Sequence, residues 1–154
     1  MTDQSGRTSK TGCVFLVSCV KEKKKCKAPA KELYISDLFK KSRKLVEATK
    51  FPWFILSAKH GLLHPDKVIC PYNEALNDMK PRQRKEWAEK VKKQMNANFP
   101  DTESVVFLAG KKYYEHLVPY LEERPANVKI LMEGMKIGKR LSWLKKANVK
   151  NILP

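Results

Sequence analysis

The sequence predicts an α/β fold: a single three-layer domain with a mostly parallel sheet of about four strands and flanking helices. Three observations carry that expectation. Four short runs, "CVFLVSCV", "FPWFILSA", "SVVFLAG" and "VKILME", are almost wholly apolar and rich in branched residues, as strands buried on both faces are. The segments between them place apolar residues at helical spacing instead. Strand and helix alternate, which favours crossover connections and therefore parallel pairing.

Residues 1–12 are Ser, Thr, Gly and charge without periodicity, and read as a flexible leader ahead of a domain spanning 13–154. The first strand run, Cys13–Val20, is followed by a lysine-rich loop containing Pro29. In "SDLFKKSRKLVEAT", Ser36 is a suitable N-cap, and Leu38, Phe39, Leu45 and Val46 fall on one helical face. Pro52 marks the start of the second strand run. "PRQRKEWAEKVKKQMNANF" has Pro81 in its first turn and Trp87, Val91 and Met95 four apart on an inner face, with Glu86–Lys90 and Glu89–Lys93 as supporting pairs. The third strand run precedes "KKYYEHLVPYLEE", a helix disturbed at Pro119. The fourth precedes a basic helix, "GKRLSWLKKAN". Trp53, Phe54, Ile55, Leu56, Trp87, Val106 and Leu108 are expected in the core.

Composition narrows the function. No apolar run approaches a membrane helix, and the N-terminus is no signal peptide, so a cytoplasmic, monomeric protein is expected, without a membrane partner. Of the 154 residues, 32 are Lys or Arg and 16 are Asp or Glu, a formal net charge of +16. Such an excess opposes compaction and points to an anionic partner. It is clustered: six lysines from Lys21 to Lys31, seven basic residues from Lys80 to Lys93, and seven from Lys129 to Lys150. Three clusters suit a phosphate backbone better than one small metabolite, so the expected partner is nucleic acid, DNA above all. Lys23, Lys24, Lys25, Arg82, Arg84, Lys139 and Arg140 are the backbone candidates. Cys13, Cys19, Cys26 and Cys70 form no C-x-x-C pair and match no standard zinc spacing, so neither a metal nor a cofactor is expected.

The chemistry concentrates in "WFILSAKHGLLHPDKVICPY", where an apolar run stops at Ser57 and gives way to polar groups. In parallel sheets, ligands bind where loops leave the carboxyl ends of the strands. Ser18-Cys19, Ser57 to His60 and Ala109-Gly110-Lys111 all follow strands, so they are expected on one rim. Gly61 permits torsions that other residues resist, and Pro65 and Pro71 stiffen the loop. His60 and His64 are four apart, but Gly61 and Pro65 argue against a helical metal pair; His64 reads as an exposed loop residue. His60 is equally well read as a hydrogen-bonded histidine of a pocket wall.

The motif S-x-x-H-G-L-L-x-P-x-x-x-I-x-P-Y, Ser57 to Tyr72, resembles that of the YaaA-like proteins, a group linked to oxidative stress and DNA binding. There an aromatic residue commonly stands where this chain has His60. "LVSCVKEKK" and "ILSAKHGLL" resemble the base-exchange-associated domain of archaeosine synthase-type tRNA-modifying proteins, a domain that looks related to the uracil-DNA glycosylase fold. Small bacterial and phage proteins of about this length also share the motif and "EGMKIGKRLSWL". The chain is shorter than YaaA-like proteins and has no evident helix-hairpin-helix segment, so a binding mode that uses one does not carry over.

Three functions follow as expectations. The first is an enzyme acting on nucleic acid, a DNA glycosylase that cleaves the N-glycosidic bond of a modified or damaged base. Such chemistry needs an extruded base, a pocket and stabilisation of developing charge. Tyr72 is then expected to stack on the base, Asn73 to read its edge, His60 to donate to the departing base and Lys59 to meet a phosphate. Glu74, Asp37 or Asp66 would orient water or stabilise the cationic sugar. Ser18, Cys19 and Lys21 would form the opposite wall, with Ser57 and Gly61 shaping the loop. The second is a non-catalytic DNA- or RNA-binding protein of YaaA-like stress-response type. The third, an enzyme of free nucleotides, needs fewer basic clusters than the chain has.

Overall fold

In the computed structural model, which describes residues 12–154, β1 (Cys13–Ser18) leads through a two-residue strand β2 (Ala28–Pro29), a single helical turn α1 (Ala30–Leu33) and α2 (Asp37–Ala48) to β3 (Trp53–Ser57). The expected leader, Gly12 apart, lies outside the described residues. A tight turn at Ala58–His60 reverses the chain into β4 (Gly61–Leu63), followed by β5 (Val68–Ile69) and a 3-10 turn at Leu76–Asp78. Then come α3 (Pro81–Asn98), β6 (Ser104–Leu108), α4 (Lys111–Tyr114), α5 (Val118–Glu123), β7 (Asn127–Ile130), α6 (Ile137–Lys146) and α7 (Val149–Ile152).

The main sheet has the order β4-β3-β1-β6-β7, and β2 pairs with β5 in a separate ladder. The four expected strands are all present and parallel to one another. The fifth, β4, is antiparallel to β3, with Leu56 facing Leu62. The apolar runs lack alternation because β1 and β6 are central. Cys13 to Val17 and Ser104 to Leu108 are all buried, since helices cover both faces.

Adjacent strand residues point to opposite faces, and the aromatic contacts reveal which helix lies where. Trp53 packs on Phe39 of α2 at 6.4 Å, whereas Phe54 packs on Phe99, just beyond α3, at 5.6 Å. Helices α6 and α7 join α2 on its side. Helix α4 joins α3, with the rings of Trp87 and Tyr113 5.8 Å apart and edge-on. The result is the expected three-layer arrangement.

Ser36 caps α2 by accepting from the Phe39 amide at 3.2 Å. Trp87, Val91 and Met95 are buried, as their spacing requires. Of the core set only Phe54 stays partly exposed. The side-chain pairing expected on α3 is corrected: Glu86 faces Arg82 at 3.8 Å and Glu89 faces Lys92 at 2.7 Å, while Lys90 reaches off the helix to the Lys59 carbonyl. The segment around Pro119 breaks into α4 and α5, and Pro119 takes the second position of α5, where its missing N–H has no helical partner to lose.

Candidate functional site

Because β1, β3 and β6 are neighbours and parallel, Ser18-Cys19, Ser57 to His60 and Ala109 to Lys111 emerge at one edge of the sheet. The side chains at that edge fall into two places. Ser18 lines a narrow cleft on the α2 side with Ser42, Met132 and Arg140, about 320 Å³ out to its open mouth. Cys19 belongs to the α3 side, where its Sγ lies 3.3 Å from the Tyr113 hydroxyl.

Ser57 organises the turn after β3. Its Oγ, fully buried, accepts from the amides of Lys59 at 3.2 Å and His60 at 3.0 Å. With its acceptor sites so used, its proton goes to the Tyr72 hydroxyl at 2.8 Å. The Tyr72 hydroxyl in turn lies 2.5 Å from that of Tyr34, and the two phenols share a hydrogen bond. The indole of Trp87 donates to the Ser57 carbonyl at 2.8 Å. Gln94 of α3 spans the hairpin, accepting from the Leu62 amide and donating to the His60 carbonyl. Gly61 has a φ of +75°, and a Cβ there would stand 2.3 Å from the Gln94 side-chain oxygen. A side chain there would be strained by the left-handed φ and would have to displace Gln94.

The electrostatics follow from burial beside a basic rim. Burial, reinforced by the neighbouring Cys19, raises the phenols of Tyr72, Tyr34 and Tyr113 well above their ordinary value, so all three remain protonated hydrogen-bonding groups. The Lys23 ammonium lies 4.5 Å from the centre of the Tyr72 ring and 5.7 Å from that of Tyr34. Its pKa is lowered, chiefly by burial, against the opposing pull of Cys19, Glu22 and Glu74. The His60 ring stands edge-on to Tyr72 at 5.6 Å. Burial, then the charges of Lys59, Lys67 and Lys90, lower its pKa, with Glu74 opposing. Lys23 and His60 thus meet at the Tyr72 ring, with Glu74 two residues further along the chain and exposed.

Several expected roles change. Tyr72 is buried, with its hydroxyl engaged by Ser57 and Tyr34 and a cation beside its ring; it is a wall of the site and not a free platform for a base. Ser57 is likewise interior and binds its own loop. Ser18 sits on the other side of the sheet from Cys19, so the two do not form one wall. Lys21, Lys59, Asn73 and Glu74 are exposed at the surface. Asp37 is exposed at the start of α2 and pairs with Lys41 at 3.4 Å. Asp66 is bound to Lys31 at 2.7 Å, in a groove shared with Trp53 and Phe54 at the opposite end of β3. Neither joins His60, whereas Glu74 is exposed two residues after Tyr72.

Among the backbone candidates, Lys24, Lys25, Arg82 and Lys139 are exposed. Lys23 turns inward. Arg84 is largely withdrawn, bonded to the Met79 carbonyl and facing Glu115 at 3.9 Å. Arg140 is tied by its Nε to the Met135 carbonyl at 2.9 Å and lines the α2-side cleft. His64 is exposed, as expected, and its Nδ1 accepts from the Asp66 amide.

Tyr34, Tyr113 and Gln94 were not legible as site residues. Tyr113 had a faint signal, two residues after the Lys111 that ends the third rim segment. Tyr34, set between Leu33 and Ile35 beyond the lysine loop, had none. Gln94 lies on a polar helix face, and only the folded hairpin gives it partners.

The chain is 31% identical over 86 residues to the uncharacterized protein YfjM of Bacillus subtilis (strain 168), a match covering 54% of this chain and 56% of that protein. The chain thus spans little more than half the length of this curated relative. No solved structure matches. A family model described as a family of unknown function, DUF6884, matches residues 14–146, nearly the whole folded domain, and the chain belongs to that family.

Proposed function

We propose that the protein acts on nucleic acid as a DNA glycosylase, hydrolysing the N-glycosidic bond of a modified or damaged base. The observation that carries this reading is the meeting of His60 and Lys23 at the Tyr72 ring, with Glu74 two residues further along the chain and Lys59, Lys67 and Lys90 acting on the His60 ring. A titratable ring, a carboxylate and a rim of cations are what base removal needs. With its pKa lowered, His60 is neutral near pH 7 and donates a ring N–H to the departing base, as a neutral imidazole can. Glu74 directs water to C1′ of the sugar and offsets its developing positive charge. Asn73, exposed beside Glu74, offers a donor and an acceptor to the base edge. The lysines hold the flanking phosphates.

The burial of Ser57, Tyr72 and Tyr34 favours a second reading, in which the network is a scaffold and the lysines alone bind DNA or RNA. The two separate experimentally. Duplexes carrying a panel of modified bases are incubated with the protein and assayed for abasic sites. The glycosylase reading expects at least one base to be released. Binding of every duplex with release from none overturns it and leaves the binder.

A further inference from the structure

Lys23 is set apart from the other lysines of its loop. Lys24, Lys25 and Lys27 are exposed, whereas Lys23 is half-buried, with its amine against the rings of Tyr72 and Tyr34. Its one hydrogen bond goes to the Lys21 carbonyl at 3.2 Å, and among the described residues no carboxylate lies within ion-pair distance of it. The position is held by the backbone, since Lys23 bridges to Tyr34, and the flanking residues Glu22 and Lys24 bond to Ile35 and Leu33. A lysine that only grips phosphate gains nothing from desolvation against two phenol rings. A lysine that must become an uncharged nucleophile does.

Because Lys23 and His60 both stand against the Tyr72 ring, we propose that Lys23 is a Schiff-base nucleophile acting on the ring-opened deoxyribose of an abasic site in DNA, which makes the site an abasic-site lyase. The choice of substrate rests on the function proposed above. The uncharged Lys23 amine adds to the C1′ aldehyde, and loss of water with uptake of one proton from solvent leaves a protonated imine. His60 removes a proton from C2′, and the electron pair moves to form the C2′–C3′ double bond. The C3′–O3′ bond breaks, and the departing strand keeps its phosphate. Water then hydrolyses the imine, which restores the Lys23 amine and frees the unsaturated aldehyde end. No oxidant or metal enters the balance. The lowered pKa of Lys23 supports this role by enlarging the uncharged fraction near neutral pH.

The test uses a duplex with a preformed abasic site and sodium borohydride, which reduces the imine to a stable cross-link between protein and DNA. Wild type is expected to give a cross-linked band whose peptide map ends at Lys23. Lys23→Arg keeps the cation beside the rings but lacks the nucleophile, and is expected to lose the band while melting like wild type. Lys44→Ala, at an exposed residue of α2 outside the basic clusters, is expected to retain it. No band from wild type, or an undiminished band from Lys23→Arg, overturns the proposal. Since the substrate already lacks its base, the result does not depend on base release. A cross-link without glycosylase activity sinks the first reading alone, and base release without a cross-link sinks this one alone.

Discussion

His60 is anchored by its main chain, with the amide on Ser57 Oγ and the carbonyl on Gln94 Nε2, while its ring stands free of those bonds beside Tyr72. The residue can therefore be truncated without removing the bonds that shape the turn. Its ring titration also carries a stability consequence. The fold lowers the pKa from its ordinary 6.5 by burial and by Lys59, Lys67 and Lys90, so the unfolded chain takes up this proton first as pH falls. The stability that His60 contributes is thus complete above 6.5 and is lost as the pH drops through the folded-state value. NMR titration is expected to place His60 below 6.5, and Lys59→Ala with Lys90→Ala to move it upward. A His60 titrating above 6.5 would mean that the ring is solvated and clear of the lysines. The residue type at position 60 and its loop were legible in the sequence. Its environment was not, because it is made in part by Lys90, 30 residues away, and by a tyrosine that the motif suggested would face the substrate.

The hairpin of β3 and β4 is the element that converts strand geometry into a site. Its apolar first half was legible from "WFILS", but its second half was not. "GLL" is three residues long, begins with glycine and carries no period, and its pairing is secured from outside by Gln94. The same holds for β2 and β5, two residues each, where the lysine loop is laid against the segment from Lys67 to Ile69. Short ladders are set by tertiary contacts and leave little trace in local sequence. Gly61→Ala tests the hairpin directly. The left-handed φ alone costs an L residue about 1–2 kcal/mol, and the Gln94 oxygen must also be displaced. Chemical denaturation is expected to show a loss of at least that size. A loss near zero would mean that the turn relaxes and Gln94 does not brace it.

At the scale of the molecule, the four-strand parallel core and its covering helices were legible because buried central strands must be continuously apolar, and the helices kept their spacing. The charge was legible as an amount and not as a distribution. Lys24 and Lys25 remain outside, while Lys23, Arg84 and Arg140 are drawn into the structure. Binding to duplex DNA is expected to weaken linearly in log affinity against log salt, and Lys24→Ala with Lys25→Ala to flatten that slope by about two units, roughly one per lost phosphate contact. An unchanged slope would place the backbone elsewhere on the surface. The central claim is that the rim of His60 and Glu74 is a catalyst, and single-turnover base release measured alongside duplex affinity tests it most directly. Contacts made only in the transition state add to rate and little to ground-state binding. His60→Ala and Glu74→Gln are therefore expected to abolish release from a duplex that wild type processes, while affinity and melting temperature stay near those of wild type. Release that continues at the wild-type rate in both variants would contradict the claim.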